Sequence, residues 1–123
     1  PVAMAAGLAQ LTYLREHPEV YEHINARGAA LAEGLRGLVK RTGAPVVINQ
    51  LGSLLAPFFT PTAVTTFTDA GSDVAKYARY FQGMLERGVA LAPAQFEAMF
   101  VSEAHTQAEL DATLRGEAVF QTL

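Results

Sequence analysis

Between Pro18 and Gly43 the apolar residues Val20, Ile24, Leu31, Leu35 and Leu38 recur at the spacing of one helix face. From Val46 the period changes to short runs of branched and aromatic residues, VVINQL and SLLAPFFT, on either side of Gly52. A chain that switches period in this way is neither all-helical nor all-β, because each pattern needs the other to bury its apolar side. Lys40-Arg41 complement the carbonyl end of the helix and Gly43 is its expected stop.

The remaining segments follow from the same reasoning. The opening PVAMAAGLAQLTYLRE is helical, and its Val2, Ala5, Ala6, Leu8, Ala9 and Leu11 are dense and small enough to pack on more than one side. His17-Pro18 divides it from the second helix, since the residue before proline is pushed out of the helical region. Pro57 removes a ladder donor, so the second strand is expected at an edge or a bulge. PTAVTTFTDAG, residues 61–71, has loop composition and is the segment expected to be most exposed and mobile.

Ser72 is expected to cap a helix in SDVAKYARYFQGMLERG, with Val74, Tyr77, Ala78, Phe81, Met84 and Leu85 as its stripe and Gly88 as its end. Val89 and Leu91 alternate toward Pro93 as a strand, and a further strand is expected over Ala98 to Ser102. Thr106 with Glu109 forms a capping box for a last helix whose inner face is Leu110, Leu114, Ala118 and Phe120. Together these predict a single α+β domain over residues 1–123: a small, mostly antiparallel sheet with helices on one face. Pro1 stands at a first helical turn without a cap of its own, which reads as a piece of a longer chain.

Composition narrows the function classes. Nine Lys+Arg against 12 Asp+Glu give a net charge of -3, with the basic residues scattered, which argues against a nucleic-acid surface. No run approaches the ~20 apolar residues of a membrane span, and no leader pattern is evident, so a cytoplasmic location is expected. Without cysteine there is neither a disulfide framework nor a thiolate metal site.

Stand-alone catalytic motifs are missing. Gly28, Gly34 and Gly37 lie in a helical pattern rather than a phosphate loop, and are expected to let helices approach. His17, His23 and His105 have no ligand spacing, and His17 and His105 flank helix starts. Ser53 and Ser102 have no base partner visible in the sequence, and neither Lys40 nor Lys76 reads as a buried, activated amine. Glu97 is the sharpest candidate: a lone carboxylate in the apolar run from Phe96 to Val101 is either on a strand's solvent face, with Phe96 and Ala98 inward, or part of a site.

PVAMAAGLAQL, LGSLLAPFFT and above all MLERGVALAPAQFEAMFVSEAHT resemble the glutamate-1-semialdehyde 2,1-aminomutase family, within the class III pyridoxal-phosphate aminotransferases. The resemblance covers nearly the whole chain in order. It implies the C-terminal small domain, inactive by itself, of an enzyme that turns glutamate 1-semialdehyde into 5-aminolevulinate for tetrapyrrole (porphyrin) synthesis, using pyridoxal 5'-phosphate and its pyridoxamine form; the alternatives are the same domain of another class III aminotransferase and a non-catalytic α+β interaction module. It implies as partners a large cofactor-binding domain and a second subunit, which supply the Schiff-base lysine and the cofactor contacts. It also implies that Glu97 faces the active site as a substrate-binding acid that holds a substrate ammonium group, or as one that tunes the cofactor's charge. The family's aminotransferases carry an arginine for the substrate carboxylate near this segment, and between Gly88 and Leu114 there is none. Pro57 interrupts a stretch usually free of proline, and Met99 replaces a usual glycine, which would narrow a nearby pocket.

Overall fold

The computed structural model describes residues 1–71 and 73–123. Helix α1 (Val2–Glu16) ends at His17, whose N–H bonds the Tyr13 carbonyl, and Pro18 opens α2 (Glu19–Thr42). Helix α2 stops where expected: Gly43 takes a left-handed φ of 69°, which a residue without a β-carbon adopts without strain. Its buried face is Val20, Gly28, Leu31, Ala32, Leu35 and Leu38.

The period switch produces a hairpin of β1 (Val47–Leu51) and β2 (Leu54–Phe58), with Leu51 opposite Leu54. Its two-residue loop has positive φ at Gly52 alone, 57°, the pattern of a type II′ turn. A third strand, β3 (Met99–Phe100), pairs antiparallel with Leu54 and Leu55 of β2, giving the order β1-β2-β3. Pro57 therefore sits in the central strand of the sheet, but beyond the last β3 pair, where β2 is locally an edge and a missing N–H goes unnoticed.

The expected strand at Val89 and Leu91 does not form. Both residues pack against the core from an irregular segment, and the strand expected over Ala98 to Ser102 shrinks to two residues. The α+β architecture with a small antiparallel sheet stands.

Helix α3 (Val74–Glu86) is capped by Asp73, whose carboxylate accepts the Lys76 N–H at 3.0 Å; the expected cap, Ser72, lies outside the described residues. Its inner face is Tyr77, Tyr80 and Met84, with Phe81 half-buried, whereas Val74 and Leu85 are exposed. The capping box forms at α4 (Gln107–Leu114): Thr106 accepts from Ala108 N–H, and Glu109 accepts from Thr106 N–H at 2.7 Å. The last helix breaks at Gly116, where a β-carbon would meet Met84 Sδ at 2.5 Å, and resumes as α5 (Glu117–Phe120). The break shifts the phase, burying Val119 with Phe120 and leaving Ala118 exposed.

Helix α2 is the centre, packing on β1 and on α4 and α5. One sheet face, with Ile48 and Leu55, enters the core; the other presents Leu51, Leu54 and Phe100 to solvent. No residue of α1 is buried, and Val2, Met4, Leu8 and Leu11 are all more than two-thirds exposed.

Candidate functional site

Glu97 lies at the end of a turn rather than on a strand. Tyr77 Oη donates to the Ala92 carbonyl on the approach, Pro93 follows, and Glu97 N–H closes the turn on the Ala94 carbonyl at 3.2 Å. Gln95 is the inward anchor at 4% exposure, while Phe96 and Glu97 both face out. The strand alternation that would turn Phe96 inward is thus replaced by a turn, whose side-chain directions do not alternate.

Phe96, the residue before Glu97, borders an exposed apolar cavity that Glu97 itself does not line. Phe96 lies with its ring centroid 6.3 Å from that of Phe67, which is 87% exposed. An open cavity of about 350 Å³ runs between Phe96, Phe67, Thr65, Asn49 and Phe58. Loop 61–71 forms its wall and is internally tied: the Asp69 carboxylate accepts from the N–H groups of Thr65 and Thr66 at 3.0 and 2.8 Å, and from Thr65 Oγ1 at 2.9 Å. These bonds, the Thr65 N–H first, hold the Asp69 carboxyl down at about 2. Asn49 Nδ2 bonds the Val64 carbonyl at 2.9 Å and secures the loop to β1.

Tyr77 connects this rim to the core. Burial pushes its phenol above the usual tyrosine value, and the negative charge of Glu97 adds to the rise. Met99, opposite Leu55, lies on the core side, where it lines a separate cavity of about 210 Å³, so it does not narrow the groove beside Phe96.

The other sequence candidates are dispersed. Lys40 is exposed, and Lys76 is 3.9 Å from Asp73 on α3. His17 pairs with Glu19 at 2.9 Å and stacks near Tyr13, and His23 pairs with Glu103 at 3.1 Å. Among the described residues no three metal-ligating side chains gather. Gly28 admits the hairpin turn, Gly34 admits Leu114 of α4, and Gly37 meets only Arg41 of its own helix.

Ser102 does have a histidine beside it, contrary to the sequence reading: its Oγ lies 2.9 Å from His105 Nδ1. The spacing Ser-x-x-His within one turn was the available signal. The Ser102 N–H donates to the same nitrogen at 3.0 Å, which makes the pair a lock on the turn after β3. The two lysines stand apart, Lys40 near the end of α2 and Lys76 on α3.

No family model matches the chain. A glutamate-1-semialdehyde 2,1-aminomutase from Ruminiclostridium cellulolyticum is 51% identical over 116 residues, 94% of this chain and 27% of that protein. The aminomutase of Desulforudis audaxviator is 52% identical over 93% of this chain and 26% of its own length.

The chain is the counterpart of the C-terminal quarter of glutamate-1-semialdehyde 2,1-aminomutases.

The aminomutase from Deinococcus deserti is also similar, at 49% identity over 93% of this chain. The chain spans about 27% of the curated relatives it matches. Among solved structures, an omega-transaminase from Sphaerobacter thermophilus superposes with a TM-score of 0.79 over 99% of this chain and 28% of its own, at 21% identity. At that identity the likeness carries the fold alone, an α+β domain with a small antiparallel sheet.

Proposed function

We propose that the chain is the small domain of an aminomutase that converts glutamate 1-semialdehyde to 5-aminolevulinate in tetrapyrrole synthesis. The observation that carries this reading is the place of Glu97: an exposed carboxylate on a turn, next in the chain to the exposed Phe96, whose ring lies near that of Phe67. Covered by another domain, that rim becomes a low-dielectric cleft in which a carboxylate attracts a substrate ammonium strongly.

Pyridoxal 5'-phosphate, cycling with its pyridoxamine form, would supply the electron sink for moving the amino group. In this reading its lysine, phosphate and ring contacts come from the rest of the enzyme, since Lys40 and Lys76 stand apart on α2 and α3. Glu97 contributes charge at the substrate side.

A large cofactor-binding domain and a second subunit are the partners in this reading, and the uncovered α1 with the uncovered sheet face are the surfaces they would bury. A cytoplasmic enzyme with no nucleic-acid or membrane partner completes the proposal; among the described residues no helix is long and apolar enough to cross a membrane. The test is the full-length protein with glutamate 1-semialdehyde and no added amino acceptor. Formation of 5-aminolevulinate supports the reading, whereas turnover only with an added keto acid makes it a transaminase.

A further inference from the structure

An acid used for recognition must stay in place, and Glu97 sits on backbone with little ladder to hold it. β3 offers two residues of pairing after the turn, and the segment before it, Val89 to Ala92, is not part of the sheet. At the start of this segment Val89 N–H bonds the Met84 carbonyl at 3.0 Å, and at its end, next to the turn, Tyr77 Oη donates to the Ala92 carbonyl. Tyr77 is itself a fixed point: it is 5% exposed, and its ring meets Phe59 edge-on at 5.6 Å and lies 6.2 Å from Tyr80. A hydroxyl on a ring so confined has almost no freedom except rotation of its proton.

We propose that Tyr77 is a positioning residue, whose hydroxyl fixes the approach at Ala92 and thereby the place of the Glu97 carboxylate. This rests on the reading of Glu97 as an active-site acid. Phenylalanine at 77 would keep the ring packing and release the Ala92 carbonyl to water, so the turn would open more often while the core stayed whole. Tyr80 is the internal comparison: it lies on the same helix and inner face, and its buried hydroxyl has no hydrogen-bond partner among the described residues.

The experiment compares Tyr77→Phe and Tyr80→Phe in the full-length protein by amide hydrogen exchange and by steady-state kinetics. For Tyr77→Phe, exchange over residues 92–98 rises roughly fivefold, the loosening that loss of one net hydrogen bond gives, with β1 and β2 unchanged. In the same variant kcat/KM falls by about the same factor, and the fall disappears when Glu97→Gln is already present. Tyr80→Phe changes neither readout. Unchanged exchange over 92–98 overturns the proposal, as does an equal fall in kcat/KM with and without Glu97. If the exchange response appears in a protein that forms no 5-aminolevulinate, Tyr77 positions the turn and the aminomutase reading is what fails.

Discussion

Gly28 of α2 lies against the hairpin turn so closely that a β-carbon there would stand 2.7 Å from the Gly52 carbonyl oxygen and 2.8 Å from Ser53 Cα. Helix propensity favours alanine over glycine by about 1 kcal/mol, but the obstacle is backbone and cannot swing aside. Gly28→Ala is therefore expected to lower unfolding free energy by about 1–3 kcal/mol, measured by urea denaturation. Equal or higher stability would show that the hairpin can move off the helix.

Tyr80 gives the opposite expectation. It is fully buried between Phe59, Tyr77 and Phe120, and its hydroxyl has no hydrogen-bond partner among the described residues. Burial, followed by its neighbour Tyr77, pushes its phenol well above the usual range. Tyr80→Phe removes a desolvated group and should raise unfolding free energy by about 1 kcal/mol; a loss of stability would mean the hydroxyl is satisfied. Since the phenols of Tyr77 and Tyr80 are both raised, their contribution is whole below the unfolded tyrosine value near 10 and is lost as pH rises beyond it.

Asp69 sets an acid-side window. Its carboxyl is lowered from 3.8 to about 2, so the stability it lends loop 61–71 is present above 3.8 and is lost as pH falls toward 2. Amide chemical shifts of Thr65 and Thr66 should titrate with a midpoint near the lower value, and the step should vanish in Asp69→Asn. A midpoint near 3.8 would mean the three hydrogen bonds do not persist in solution.

Much of this fold is legible locally, because its punctuation is local. Gly43 and Gly52 take the positive φ their positions call for, Pro18 separates two helices, and Thr106 with Glu109 caps α4. What the pattern misses is decided by distant partners. Val89 and Leu91 alternate like a strand but satisfy their burial against the core without one. Tyr80 turns inward in place of Val74 and Leu85 because Phe59 and Phe120 wait for an aromatic ring there. The last helix breaks because Gly116 must clear Met84, more than 30 residues earlier in the chain. At the candidate site, Glu97 is visible as a lone acid in an apolar run, whereas Phe67 reaches Phe96, and Tyr77 reaches Ala92, only through tertiary structure.

The most direct measurement is turnover of glutamate 1-semialdehyde by the full-length protein carrying Glu97→Gln, with thermal unfolding recorded beside it. The side chain is exposed in this domain, so the substitution should leave the unfolding temperature unchanged while 5-aminolevulinate formation falls roughly tenfold or more, as loss of a charged hydrogen bond predicts. Wild-type turnover in that variant would contradict the placement of Glu97 at the active site.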